Sequence, residues 1–212
     1  MEEFKIIYID EDEKERRNFE LTFDQPDCKL ILEHPRSTLE EMIDVIVYEK
    51  PDAVICDFLL KEKEPTVNYD GADLLQGIRD KNKRLPCFLL TSYESDAIRT
   101  TLDVNSVHDK DELIAEDAEK PTFGDKVTQQ IKANRKVLGE LKDKISGLHK
   151  RYANGDLSTA EEREYNKVSV KIEEFIFSDE ETHLSINDTS VLERLDKLLD
   201  YSDQLIKALK KR

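Results

Sequence analysis

The stretch Ala53-Val54-Ile55-Cys56-Asp57 constrains the fold of this chain more than any other. An apolar run with no polar alternation reads as a strand buried on both faces. Such strands belong to parallel sheets, and ligands of open α/β sheets gather at the carboxyl ends of their strands. Asp57 stands at such an end. Taken alone, an Asp after a strand is equally a turn former or helix cap, so its meaning depends on what converges on it.

The flanking sequence repeats the pattern. Phe4 to Ile9 is a second apolar run and ends in Asp10-Glu11-Asp12-Glu13; a helix is expected over about Lys14 to Phe23, and a short strand over Lys29 to Leu32. Ser37, with Glu40 three residues on, predicts a capped helix whose apolar face is Leu39, Met42, Ile43, Ile46 and Val47, stopped by Pro51. Beyond Asp57 a charged loop, Phe58 to Asn68, leads to an Asp70-Gly71 turn and a helix through Arg79. Pro86 opens a strand, Cys87 to Leu90, that ends at Thr91-Ser92. A short helix over Glu94 to Thr101 and a fifth strand, Val104 to His108, precede Asp109-Lys110. Strands alternating with helices predict a doubly wound, five-stranded parallel sheet with helices on both faces.

From about Phe123 the pattern changes. Val127, Ile131, Asn134, Leu138, Leu141, Ile145, Leu148 and Tyr152 alternate spacings of four and three, a heptad seam with Asn134 at one core position, where it would fix register. Asn154-Gly155 breaks it; Ser158 with Glu161 caps the next helix, and Tyr165, Val168, Ile172 and Phe175 continue the spacing. A polar loop, Ser178 to Asp188, leads to a last helix with Val191, Leu195, Leu198, Leu205 and Leu209 on one face. The expected organisation is one domain over 1–125 and a helical extension over 126–212, with helices about 123–153, 159–177 and 189–211. Periodicity leaves open whether the seams pair within one chain or between two.

The 212 residues carry a net charge of −15, which would repel a phosphate backbone and argues against nucleic acid as a partner. The basic end, Lys207, Lys210, Lys211 and Arg212, suits a helix C-terminus. No apolar run reaches membrane-spanning length and no signal-peptide core opens the chain, so a cytoplasmic protein is expected. Cys28, Cys56 and Cys87 lack metal-type spacing and read as small buried hydrophobes of a reducing compartment.

In a parallel sheet the strand ends share one edge, so the acids after strand one, Asp57, Thr91 and Lys110 could meet. Clustered carboxylates need a cation between them, and an all-oxygen site suits Mg²⁺. A carboxylate beside Mg²⁺ can attack phosphorus, while the metal, a lysine and a hydroxyl neutralise the phosphoryl oxygens.

This constellation resembles the receiver domain of two-component response regulators, over roughly residues 3 to 135. The resemblance implies a flavodoxin-like fold in which Asp57 is the phosphoacceptor, Thr91 the switch hydroxyl and Lys110 the lysine that pairs with the phosphoryl group. Asp10 and Glu11 would be the acidic pair, and Mg²⁺ would be held by Asp10, Glu11, Asp57 and the carbonyl of Leu59. Asp70-Gly71 with Leu74, Leu75, Ile78 and Arg79 matches the family's Asp-Gly helix opening. The sequence also departs from the family: Glu11 replaces an Asp, so Glu11 with Asp12 is a second choice of pair. Lys110 lacks the following proline, so Lys120-Pro121 is a second choice of lysine, and Val107 stands where a switch aromatic is usual. A histidine kinase is the implied donor, and the output a protein contact of the extension, with a downstream protein or a second copy. Two other functions fit part of the pattern: an unphosphorylated scaffold acting through its coiled coil, and a haloacid dehalogenase-type phosphatase built on Asp10-Glu11-Asp12.

Overall fold

The computed structural model of the protein describes residues 3–23, 25–62, 64–101, 103–114, 121–153 and 157–177. Strands β1 (Phe4–Ile9), β2 (Cys28–Glu33), β3 (Ala53–Asp57), β4 (Cys87–Thr91) and β5 (Val107–Asp109) form one parallel sheet in the order 2-1-3-4-5. Strand order reverses between β1 and β3, and the crevice at such a switch point is where this fold binds ligands. Ile9 pairs with Cys56, which sets Asp10 beside Asp57 at the strand ends.

Alternation along the strands feeds two cores. Ile7, Ile9, Val54, Cys56 and Leu89 pack against α2 (Leu39–Glu49), α3 (Gly71–Lys81) and Ala97 of α4 (Glu94–Thr100). Phe4, Ile6, Tyr8, Ala53, Ile55, Phe88 and Leu90 face α1 (Glu13–Thr22) and the first turns of α5 (Phe123–Ala153). The fold is therefore the expected doubly wound α/β sandwich.

Local details differ from the sequence expectation. The cap of α2 is Thr38, not Ser37: Thr38 and Glu41 form the reciprocal box, and the Ser37 carbonyl instead accepts from Asn68 N–H. Both Ser37-x-x-Glu40 and Thr38-x-x-Glu41 satisfy the pattern, and only tertiary contact separates them. The fifth strand is Val107–Asp109, because Asp103 accepts from Asn105 N–H and winds Val104–Ser106 into a 3-10 turn that leaves Val104 exposed. The Asp-Gly pair is not a turn but the start of α3. A Cβ on Gly71 would lie 2.0 Å from the Asp57 carbonyl oxygen, so glycine is required there by close approach.

The helical extension is a hairpin. Val127 and Ile131 of α5 pack in the sheet core. One turn further, Asn134 donates to the Arg84 carbonyl and Arg135 grips Asp52 at 2.7 and 2.9 Å, both at the amino-terminal edge of the sheet. Beyond that edge residues 136–153 of α5 continue for about 27 Å. Helix α6 (Thr159–Glu173), capped by Ser158 and Glu161, returns along them. Leu138, Leu141, Ile145 and Leu148 meet Tyr165, Val168 and Ile172, so this part of the heptad seam closes within one chain.

Asn134, expected as a register position of the seam, serves the sheet edge instead. Phe175, expected to continue the seam, lies under the Arg84 guanidinium, 5.7 Å from ring centroid to Cζ. The segment after α6 is tied down there. Arg84 N–H donates to the Glu174 carbonyl at 3.1 Å, Arg84 and Glu174 pair at 2.7 Å, and Asn82 Nδ2 donates to the Phe175 carbonyl at 3.1 Å. The expected last helix over 189–211, its leading loop, the side chain of Tyr152, the Asn154-Gly155 break and Lys120 lie outside the described residues.

Candidate functional site

The carboxyl edge of the sheet gathers the residues that the sequence singled out. Asp57, the last residue of β3, is buried, and its Oδ2 accepts from the Leu59 N–H at 2.7 Å. Its Oδ1 lies 2.7 Å from Lys110 Nζ. Lys110, just after β5, also reaches Asp10 Oδ2 at 3.0 Å and Glu15 Oε2 at 3.6 Å. Strand pairing explains the reach: Leu90 is opposite Asp57 and Asp109 opposite Thr91, so Lys110 leaves β5 one residue past the common edge. Thr91 is fully buried beside Leu90, and its hydroxyl accepts from Tyr93 N–H at 3.0 Å.

Asp10 is the most enclosed acid of the pocket, at 1% exposure. Its Oδ1 accepts from Asp12 N–H at 2.8 Å, and its Oδ2 accepts from the Tyr8 hydroxyl at 2.6 Å. Arg16 donates to its backbone carbonyl. Asp12 is the cap of α1, accepting from Lys14 N–H at 2.8 Å. Glu11 points differently, with its Oε2 buried and without a hydrogen-bond partner.

Electrostatics follow from this crowding. Burial first, then the neighbouring Asp10 and Asp57, pushes the Glu11 carboxyl up to about 7. Burial likewise raises Asp57, against the opposing pull of Lys110. Burial alone would lower Lys110, but the carboxylates of Asp57 and Asp10 outweigh it and hold the ammonium charged. Burial, aided by Asp10, pushes the Tyr8 hydroxyl far above its ordinary value, so it remains a donor. The free thiols of Cys28, Cys56 and Cys87 are all pushed up mainly by burial, as expected of packing residues.

The donor set fits a hard divalent cation. Three carboxylates face one pocket at a strand switch, and one of their oxygens is buried without a partner, a state that costs roughly 1–3 kcal/mol or more for a charged group. Among the described residues no three acids are drawn around a single point; the Lys110 ammonium bridges Asp10 and Asp57 instead.

Sequence reasoning missed Tyr8 and Glu15. Tyr8 was findable: a tyrosine in a strand buried on both faces needs a partner for its hydroxyl, and period two puts it on the same face as Asp10. Glu15 gave no such signal.

Fold and pocket together define a doubly wound α/β protein of flavodoxin-like strand order with an acidic, lysine-bridged site at the switch point. No protein-family model matches the chain, and no curated protein matches it. Among solved structures it is similar to NtrX from Brucella abortus, at 19% identity and TM-score 0.45, over 67% of this chain and 30% of that one. It is also similar to FixJ from B. japonicum, at 15% and 0.41, over 80% and 86% of the two chains. RcsB from Salmonella typhimurium matches at 14% and 0.45, over 84% and 95%. The chain thus spans less than a third of the length of NtrX. These neighbours are response regulators, and the sheet with its flanking helices has the architecture of a receiver domain.

Proposed function

We propose that this protein is a phosphoaspartate signal receiver, with Asp57 as the acceptor and a histidine kinase as the donor. The observation that carries the reading is the Asp57 carboxylate held between Leu59 N–H and Lys110, beside a glutamate oxygen left buried and unpaired. A carboxylate oxygen of Asp57 attacks the phosphorus of the donor. The new O–P bond forms as the P–N bond of a phosphohistidine breaks, and the electron pair leaves with the imidazole. Lys110 turns from the carboxylates to the phosphoryl oxygens, and the Thr91 hydroxyl gives up Tyr93 N–H to donate to one of them. Mg²⁺, held by Glu11, Asp57, Asp10 and the Leu59 carbonyl, supplies charge neutralisation of the phosphoryl group when bound.

The output of this reading is a protein contact of the α5–α6 hairpin. RcsB is known in complex with DNA, but a net charge of −15 favours a protein partner here. Among the described residues no helix is long and apolar enough to cross a membrane. The test is intact-protein mass after incubation with Mg²⁺ and acetyl phosphate, for the wild type and Asp57→Asn. A gain of one phosphoryl group that disappears in the variant is expected; no gain in the wild type would leave the scaffold reading in its place.

A further inference from the structure

We infer that Tyr8 is a positioning residue for phosphoryl capture: its hydroxyl keeps the buried Asp10 carboxylate satisfied when Lys110 turns away to the phosphoryl group. The inference rests on the receiver reading and adds to it a residue that the four strand-end groups do not include.

Asp10 cannot be rescued by solvent, since its side chain is sealed from water. A carboxylate has about four acceptor positions. In the resting protein three donors point at Asp10: Asp12 N–H on Oδ1, and Tyr8 Oη (2.6 Å) with Lys110 Nζ (3.0 Å) on Oδ2. Lys110 is shared, because the same ammonium contacts Asp57 Oδ1 at 2.7 Å. Once Asp57 carries a phosphoryl group, that ammonium is drawn to the new oxygens, and Oδ2 keeps only the Tyr8 hydroxyl. A buried carboxylate oxygen left with no donor is costly, so without Tyr8 the hand-over of Lys110 is opposed by Asp10.

Tyr8 is built to stay where it is. Its ring is buried and stacked on Phe19 at 3.9 Å and 13°, and Phe19 stacks in turn on Phe23 at 4.9 Å. The hydroxyl has no role in packing that a phenyl ring would not fill, so Tyr8→Phe removes the donor and retains the stack.

Two measurements on the full chain test this. Phosphorylation by acetyl phosphate and Mg²⁺, followed by intact mass, should be about tenfold slower in Tyr8→Phe than in the wild type, since tenfold corresponds to about 1.4 kcal/mol, the scale of one hydrogen bond to a charged group. Urea unfolding of wild type, Tyr8→Phe, Lys110→Ala and the double variant, without Mg²⁺ or donor, should show coupling. The loss of the hydroxyl should change the unfolding constant at least about fivefold more when Lys110 is absent than when it is present. Labelling of Tyr8→Phe at the wild-type rate, or strictly additive unfolding effects, would overturn the inference while leaving the receiver reading intact. A wild-type protein that gains no mass would instead overturn the receiver reading, and this inference with it.

Discussion

Glu11 makes the resting pocket sensitive to pH, and the size of the effect follows from its surroundings. Its carboxyl sits at 4.5 in a solvated chain and at about 7 in the fold, raised by burial and by Asp10 and Asp57. Between those values the native state keeps a proton that the unfolded chain has lost. Stability is therefore fully present below pH 4.5 and falls as the pH rises through about 7. Taken at face value the shift from 4.5 to about 7 is worth roughly 3 kcal/mol. Glu11 is only partly buried, and screening by solvent reduces this to about 1–2 kcal/mol. Replacing Glu11 by Gln removes the charge and keeps the shape. In EDTA the variant should match the wild type near pH 5. By pH 8 it should be more stable by about 1–2 kcal/mol, or roughly 2–8 °C in melting temperature for a chain of this size. Asp57 is raised in the same direction, so the variant should retain a shallower slope of the same sign. The assay is thermal or urea unfolding at fixed ionic strength across this range, repeated in saturating Mg²⁺. There the wild type should recover stability and Glu11→Gln should recover less. Parallel pH curves for the two proteins would refute the reasoning, because Glu11 would then be solvated and unstrained.

Gly71→Ala should destabilise the protein by about 2–4 kcal/mol in urea unfolding, because the new methyl would collide with the Asp57 carbonyl and the Leu89 side chain. Ile145→Ala, at a fully buried seam position, should cost about 2–5 kcal/mol and be seen as lost amide-exchange protection across α6, with the β1–β3 amides little changed. Arg84→Ala removes a half-exposed ion pair with Glu174 and the cover of Phe175, so a loss of about 1 kcal/mol is expected, with faster exchange at residues 174–177.

Strand content was legible because both-face burial writes itself as unbroken apolar runs, and the chain's β3 and β4 are buried at every position. The placement of Asp57 and Lys110 followed from topology, since parallel strands must end at one edge. Other features needed tertiary information. Ser37 and Thr38 are equal candidates for a cap until Asn68 takes the Ser37 carbonyl. Val104 has a strand former's side chain, but the Asp103 carboxylate overrides it by bonding to Asn105 N–H. The Asp70-Gly71 pair was recognisable, yet its reason was not: the glycine answers to the Asp57 backbone across the crevice and not to a local turn. Heptad spacing gave the apolar face of α5 but not what covers it, because period alone does not distinguish a sheet, a returning helix and a second chain. The observed helix uses two of these in succession, the sheet for Val127 and Ile131 and α6 from Leu138 onward.

That succession places the pocket and the hairpin at opposite edges of the sheet. Any influence of one on the other must cross it, and β4 is the element that touches both. Its carboxyl end is Thr91, and its interior residue Phe88 meets Phe123 at the root of α5 edge-on at 5.9 Å. Just before its amino end, Asn82 and Arg84 hold the segment after α6 while the Arg84 carbonyl takes Asn134. Five strand residues span about 17 Å, so a displacement of Thr91 need not travel far to reach both attachment points of the hairpin. The usual aromatic partner of the switch hydroxyl is absent, with Val107 in its place and packed among the residues facing α2, α3 and α4. A packed strand between two fixed contacts moves as a unit or not at all, because close-packed interiors do not deform continuously. In this protein the coupling element is thus β4 itself, carrying a change at Thr91 to a hairpin whose own seam is already closed.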